Sequence, residues 1–348
     1  MRLYTRLFIV ALAALLVASP VTSITNPIHA MVDEEFEDMA DPAVLEHDGF
    51  LHVFPTASQA DFSAWSAQLP AARDDAWDPS ALSFERSSEP VLTPEEGCII
   101  TTLVPALGKG SLTWAPHVYH DEAGDGRFYI YYSTCLNLYV ASSDSPTGPF
   151  ENPVSLKYLA IDPFVMRDAK TGKLLLYYAD IDLKRMWFGE ESIYVQELGT
   201  PTAFSEGSKA AQMIKPDQRS WEFFRSSWIA PRGINEGPWV IESGGKYVLM
   251  YSGAGADTEH YNLGIATSDS ATGPFEKNAE NPISVPKDPV SAGVFGPGHH
   301  SVWEDRQTGK KWAFYHRQKT AGNGWNREIC VDQLVEDGEG GVSIEFTP

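Results

Sequence analysis

The sequence is short of positive charge, and this shortage excludes two classes of partner. Its 348 residues carry 26 Lys and Arg against 47 Asp and Glu, a formal net charge of −21. A surface of that sign repels nucleic acid and anionic membranes. It also disfavours a polyanionic substrate, whereas a neutral partner meets no such penalty.

Long apolar runs are missing beyond the N-terminus. The stretch Leu7–Ala18 follows the basic residues Arg2 and Arg6 and precedes small residues suitable for cleavage. Because it is too short to cross a membrane, it predicts a secretory signal peptide over residues 1–23. We therefore expect an exported, extracellular, monomeric protein without membrane contacts, whose residues 24–348 form a single catalytic domain.

Cysteine is scarce as well. Only Cys98, Cys135 and Cys330 occur, and their spacing does not resemble a thiolate metal site. An odd number in an exported protein pairs two cysteines at most and leaves at least one thiol free. The sequence leaves the pairing open.

What the sequence does contain is a repeat. Each unit has a polar residue, a short apolar strand, a glycine-containing turn and a strand rich in aromatic residues. The five units occupy residues 39–57, 113–133, 160–180, 233–253 and 296–316. The segments LYVASSDSPTGPF and LGIATSDSATGPF, which begin at residues 138 and 263, extend the similarity to a third strand. Such repetition predicts an all-β protein, namely a five-bladed β-propeller.

In a propeller the innermost strand of each blade lines the central axis. The residues that open those strands then meet at one end of the axis. We expect Asp41, Asp162 and Glu236, which lie far apart in the sequence, to become neighbours there. In the fourth unit we expect Gly237 and Pro238 to turn the chain sharply just before the strand.

The strand-opening residues carry a resemblance to a known family. The segments are ADP at 40–42, WAP at 114–116, IDPFV at 161–165, EGPW at 236–239 and GPGHHS at 296–301. In this order they resemble the blade-opening motifs of glycoside hydrolase family 43. The resemblance covers essentially all of residues 24–348. It implies a five-bladed propeller that hydrolyses arabinose- or xylose-containing plant glycans with inversion.

The resemblance also implies roles for single residues. The general base falls on Asp41, the general acid on Glu236, and the aspartate that tunes the pKa of the acid falls on Asp162. Inverting hydrolysis needs one ionised and one protonated carboxyl group, roughly 6.5–9.5 Å apart so that a water fits between them. Nearby negative charge would raise the pKa of the acid.

Three further positions follow from the same resemblance. Trp114 falls beside a sugar-binding subsite, and Arg327 falls on a substrate-binding arginine that could instead form a surface ion pair. His299 falls on a histidine near the axis that contacts substrate and can hold a structural calcium through water. The chemistry itself needs no cofactor. A departure occurs at His117, where many relatives have an acid.

Two long irregular segments, residues 59–110 and 199–231, are predicted to surround the pocket and favour exo action. Trp221, Phe223, Phe224 and Trp228 in the second segment could wall a sugar site or pack between blades.

The sequence favours an exported, exo-acting α-L-arabinofuranosidase acting on neutral plant oligo- or polysaccharides. A β-xylosidase of the same fold and a non-catalytic glycan-binding propeller are the alternatives. A fructan-cleaving propeller is disfavoured because its Asn-Asp-Pro-Asn and Glu-Cys motifs are absent.

Overall fold

A computed structural model of the chain describes residues 24–28, 31, 38–57, 61–94, 113–181, 190–224 and 232–348. The predicted signal peptide, Cys98 and Trp228 lie outside these ranges. Within them the regular structure is almost entirely β-strand, which confirms the all-β prediction. The two short exceptions are 3₁₀ turns at Pro79–Ala81 and Pro289–Ala292.

The strands fall into groups that follow the chain, and pairing within a group is antiparallel except between β19 and β23 of the fifth. The first contains β1 (Met39–His47), β2 (Phe50–Ala57), β3 (Trp65–Gln68) and β4 (Glu85–Arg86). The second contains β5 (Thr113–His120), β6 (Phe128–Thr134), β7 (Asn137–Ser143) and β8 (Glu151–Tyr158). The third contains β9 (Ala160–Arg167), β10 (Leu174–Ile181), β11 (Glu190–Thr200), β12 (Ala203–Phe204) and β13 (Ala211–Ile214).

Two more groups complete the described chain. The fourth contains β14 (Phe223–Phe224), β15 (Arg232–Ser243), β16 (Lys246–Gly253), β17 (Asn262–Ser268) and β18 (Glu276–Lys277). The fifth contains β19 (Ser284–Val285), β20 (Phe295–Glu304), β21 (Lys311–Gln318), β22 (Arg327–Glu336) and β23 (Val342–Glu345). A short parallel pairing between β11 and β15 joins the third and fourth groups into one ten-stranded sheet.

The hydrophobic core lies between successive groups rather than inside one of them. Each cluster of buried side chains draws on two neighbouring groups, and one cluster packs Trp65 and Val53 of the first group against Phe314 and Trp303 of the fifth. One strand of each group faces the centre, and we call it the first strand of its group: β1, β5, β9, β15 and β20. These five strands contact one another in that order, and β20 contacts β1. The groups are thus arranged in a closed ring.

The first strands share a bulge. Asp41, Ala115, Asp162, Gly237 and His299 all have positive φ angles, between 47° and 57°. The strand register shifts at or beside each of these positions. The prediction that Gly237 and Pro238 turn the chain before the strand is therefore wrong. The strand β15 continues through them, because the left-handed backbone at Gly237 absorbs the extra residue as a bulge.

The described parts of the two long segments include short outer strands. Residues 65–68 and 85–86 of segment 59–110 form the outer strands β3 and β4. Trp221 packs against the core shared by the third and fourth groups, stacked on Tyr251 with ring centroids 6.1 Å apart. This aromatic residue therefore packs between groups, as the second of the two interpretations requires.

Two smaller points complete the description. Cys135 is disulfide-bonded, and Cys330 is a buried free thiol. Across the described ranges, no helix has the length and apolar character that crossing a membrane needs.

Candidate active site

The structure brings the three predicted carboxylates to one end of the ring. Asp41 and Asp162 occupy the bulge position of β1 and β9, and Glu236 lies one residue before the bulge of β15. All three side chains are buried, with residue exposures of 7%, 5% and 8%. His299 occupies the bulge position of β20. Trp114, directly before the bulge of β5, holds the position that Glu236 has in the fourth group.

Side chains from the preceding group hold the backbone at these bulges. Thr56 accepts a hydrogen bond from the backbone N–H of Ala115 at 2.8 Å. Ser133 does the same for Asp162 at 2.9 Å, and Ser252 for His299 at 2.8 Å. These three acceptors hold equivalent places near the ends of β2, β6 and β16, so each group fixes the site residue of the next.

Where the fifth group meets the first, the position equivalent to Thr56, Ser133 and Ser252 is a histidine. His316 near the end of β21 has Nδ1 3.3 Å from the backbone nitrogen of Asp41 and 3.2 Å from its Oδ1. In one tautomer Nδ1 accepts from the backbone N–H, and in the other it donates to the carboxylate. Burial lowers the pKa of His316 to about 4, so the ring is neutral at ordinary pH.

The equivalent place in the third group is Ala179, which has no hydroxyl. The N–H of Gly237 donates instead to Oδ2 of Asp162, at 3.0 Å. An absent side-chain oxygen on β10 therefore leaves a backbone donor free to orient a carboxylate.

This arrangement makes Ala179→Ser an informative substitution. The new hydroxyl should take the N–H of Gly237, as Ser133 and Ser252 do for their neighbours, and Asp162 would lose its donor. We expect a loss of about tenfold in turnover, since one hydrogen bond to a charged group contributes about 1.5–3 kcal/mol. Steady-state kinetics on the purified protein measures it, with Ala179→Gly as the control that adds no oxygen. Unchanged turnover in the serine variant would contradict this role of the N–H.

Asp41 lies among basic side chains. Its Oδ1 is 3.3 Å from Nδ1 of His299 and 3.7 Å from Nη1 of Arg327. Burial alone would raise the pKa of this carboxyl group, but His299, Arg327 and His316 together hold it well below its usual range. Asp41 is therefore ionised across the whole working range of pH, as a general base must be.

Asp162 interacts electrostatically with both of the other carboxyl groups. Burial, together with the charges of Asp41 and Glu191, raises its pKa to about 6, and His299 and the N–H of Gly237 oppose the increase. Nδ1 of His299 lies 3.9 Å from Oδ2 of Asp162, so the same ring nitrogen faces both aspartates. Above about pH 6, Asp162 adds a negative charge beside Glu236.

Glu236 has the environment of an acid. The hydroxyl of Tyr261 donates to its Oε1 at 2.7 Å. Burial, followed by the charges of Asp162, Glu191 and Asp41, raises its pKa well above the usual range. The carboxyl group therefore keeps its proton at a pH where Asp41 is ionised, so the site holds one proton donor and one proton acceptor.

Arg327 is almost fully buried, and its donors are already engaged. Its Nε and Nη2 atoms donate to Asp38 at 2.8 and 2.6 Å, and Nη1 points to Asp41. The guanidinium group lies over the aromatic ring of Trp325, a residue that is 64% exposed. The pairing with Asp38 explains how a guanidinium group stays buried behind Asp41.

The side chains around His299 offer few of the ligands that a calcium ion needs. Calcium prefers six to eight oxygen ligands, whereas Nδ1 of His299 faces Asp41 and Asp162, which also interact with Arg327 and Gly237. In the part of the chain that the structure describes, no group of three or more His, Cys, Asp or Glu is placed to hold a metal ion. The set does not fit a calcium held by protein side chains alone, and a calcium held at His299 through water stays a prediction.

A small cavity of about 20 Å³ lies on the axis beside the carboxylates, lined by residues of all five first strands. His117 and His300 border it, and burial lowers the pKa of His117 to about 4 and that of His300 to about 3. Both rings are therefore neutral, so the axis gains no cation from them. A larger cavity of about 750 Å³ is lined by turns such as 123–125 and 171–173 and contains none of the predicted site residues.

Several residues that shape the site were not predicted from the sequence. They are Asp38, Ser133, Ala179, Glu191, Ser252, Tyr261 and His316. Four of them, Ser133, Ala179, Ser252 and His316, hold equivalent places in the repeat, together with Thr56. Aligning the five units on the ends of their second strands would have found these four. Tyr261 and Glu191 lie outside the repeated positions.

Comparison with known proteins gives a consistent picture. The family model for glycosyl hydrolases family 43 matches residues 95–340. The chain is 24% identical over 331 residues to an extracellular exo-α-(1→5)-L-arabinofuranosidase of Streptomyces avermitilis, which covers 86% of this chain and 60% of that relative. It is 26% identical over 341 residues to a xylosidase/arabinosidase of Bacteroides ovatus, covering 87% of this chain and 94% of the relative.

A solved structure agrees with the fold. The crystal structure of a thermostable family-43 glycoside hydrolase superposes with a TM-score of 0.68 at 25% identity. The similarity covers 89% of this chain and 93% of that one.

Proposed function

Because the chain belongs to glycosyl hydrolase family 43, we propose that its ring of strands is a five-bladed β-propeller that hydrolyses glycosidic bonds with inversion. The single observation that supports this most is the difference between two carboxyl groups at one end of the ring. Asp41 faces His299 and Arg327 and is ionised, while Glu236 is buried beside other carboxylates and holds its proton.

In the proposed mechanism the scissile bond lies between these two groups. Glu236 gives its proton to the leaving oxygen as the bond to the anomeric carbon breaks. Asp41 accepts a proton from the water that attacks that carbon from the opposite side. Asp162, oriented by the N–H of Gly237, keeps the pKa of Glu236 high. After release of the products, Glu236 regains a proton and Asp41 loses one.

For the substrate we propose arabinofuranosyl or xylosyl residues of neutral plant glycans, with exo α-L-arabinofuranosidase action favoured. Relatives named for arabinofuranosidase, xylosidase and arabinanase activities support the sugar class. The acidic surface supports a neutral substrate. Relatives named as extracellular support export of this protein. We also propose that residues 24–348 form a single catalytic domain and that the protein is a monomer. Trp114, His299 and Arg327 are proposed to contact or position the sugar.

A β-xylosidase is the second candidate, since relatives carry that name. The test is a panel of arabino- and xylo-oligosaccharides together with 4-nitrophenyl α-L-arabinofuranoside and 4-nitrophenyl β-D-xyloside. We expect release of monosaccharide from at least one series and faster turnover of the arabinofuranosyl substrates. Faster turnover of xylosides would select the second candidate. Binding of these oligosaccharides with no hydrolysis would instead indicate a non-catalytic glycan-binding protein.

A further inference from the structure

A fourth carboxyl group lies against the proposed acid. Glu191 is the second residue of β11, where that strand runs parallel to β15, and it pairs with Ile234. Side chains two residues apart in a strand point to the same face, so Ile234 and Glu236 share a face and Glu191 lies diagonally across from Glu236. In this arrangement burial raises the pKa of Glu191, and a hydrogen bond from Glu236 acts to lower it.

Glu191 has a basic partner on the same strand as Glu236. Nη1 of Arg232 lies 3.6 Å from Oε1 of Glu191, and the two side chains are 23% and 16% exposed. The guanidinium group also lies 5.6 Å from the ring centre of Phe224. Arg232 is thus held at the outer side of the carboxyl pair.

Two carboxyl groups hydrogen-bond only when one of them carries a proton, because an ionised carboxylate has no donor. Arg232 favours the ionised form of Glu191. Glu236 faces Asp162 from β9, Asp41 from β1 and the Tyr261 hydroxyl from the segment before β17. Among the residues that the structure describes, no cation pairs with Glu236. The proton of the pair therefore belongs on Glu236.

Building on the proposed function, we propose that Glu191 is a positioning residue which, paired with Arg232, accepts a hydrogen bond from Glu236 and so keeps the acid protonated and oriented between turnovers. Burial raises the pKa of both carboxyl groups, and the charges of Asp162, Glu191 and Asp41 raise that of Glu236 further. Glu191 and Glu236 share one proton. Loss of that proton causes the decrease of kcat/KM at high pH, which is the basic limb of the pH profile.

Two substitutions should move that limb in opposite directions. In Glu191→Gln a negative charge disappears and the amide donates to Glu236, so its ionised form is stabilised and the limb shifts to lower pH by about one to two units. In Arg232→Gln a positive charge disappears, so the last proton is held more tightly and the limb shifts to higher pH. A purely structural role would lower the plateau in both variants without opposite shifts.

The experiment titrates the carboxyl group directly, with or without substrate turnover. Protein labelled with ¹³C at glutamate side chains is followed by NMR from pH 4 to 10, and loss of one resonance in Glu236→Gln identifies Glu236. We expect its midpoint to fall in Glu191→Gln and to rise in Arg232→Gln, with the kcat/KM profile following.

The matched control is Glu190→Gln, which removes the same charge from the neighbouring position, where the side chain points to the other face and contacts Gln218. It should leave the midpoint in place. An unchanged midpoint in Glu191→Gln, or shifts of the same sign in both variants, would overturn the proposal. Absence of hydrolysis by the wild type would count against the proposed function alone, because the titration still reads the pair.

Discussion

Replacing Glu236 by glutamine should lower kcat/KM on oligosaccharides by about 10²–10⁴-fold. The amide keeps the shape of the side chain and the hydrogen bond from Tyr261, but it has no acidic proton to give to the leaving oxygen. A 4-nitrophenol leaving group departs without protonation, so the loss on nitrophenyl glycosides should be smaller, about tenfold or less. Steady-state kinetics on the two substrate types measures the difference.

The control for this variant lies on the same strand. Glu242→Gln removes a charge from an exposed position of β15 and should leave both rates unchanged. An equal loss on both substrate types in Glu236→Gln would mean that Glu236 does something other than protonate the leaving group.

Replacing Asp41 by asparagine should have an equally large effect with a different signature. Every substrate needs the attacking water to be deprotonated, so kcat should fall by about 10²–10⁴-fold on oligosaccharides and nitrophenyl glycosides alike. Asparagine tolerates the left-handed backbone that Asp41 adopts, with φ of 47°, so the bulge should persist. The same paired kinetics measures this, with thermal unfolding to show that the fold is intact.

Asp48→Asn serves as the matched control, because Asp48 also has positive φ but its side chain is 88% exposed on the first hairpin turn. It should behave as wild type. If Asp41→Asn spared the nitrophenyl substrates, Asp41 would be acting on the leaving group, and the assignments of base and acid would have to be exchanged.

The fold was readable because the repeat is strong. Five turns and five aromatic-rich strands at similar positions predict an all-β chain, and the prediction that Asp41, Asp162 and Glu236 come together depends only on the order of those units. The local backbone was harder to predict. Asp-Pro and Gly-Pro usually mark turns, whereas here a left-handed residue before proline forms a bulge inside a continuous strand.

Residues outside the repeated positions could not be predicted, because distant packing brings them to the site. Tyr261 reaches Glu236 where Gly298 leaves room for it: a Cβ on Gly298 would lie 2.3 Å from the Tyr261 ring. Glu191 reaches Glu236 through a parallel pairing of two residue pairs that joins two groups. Neither contact leaves a periodic signal in the sequence. Ala179 is informative only because its equivalents carry polar side chains.

The most direct test of the account is proton NMR of the sugar released in the first minutes of hydrolysis, before mutarotation scrambles the anomers. If Asp41 activates water on one face of the sugar while Glu236 protonates the leaving group on the other, the first product has the anomeric configuration opposite to that of the substrate. A first product with the substrate's own configuration would contradict this division of labour, because it would require one of the carboxylates to attack the sugar itself.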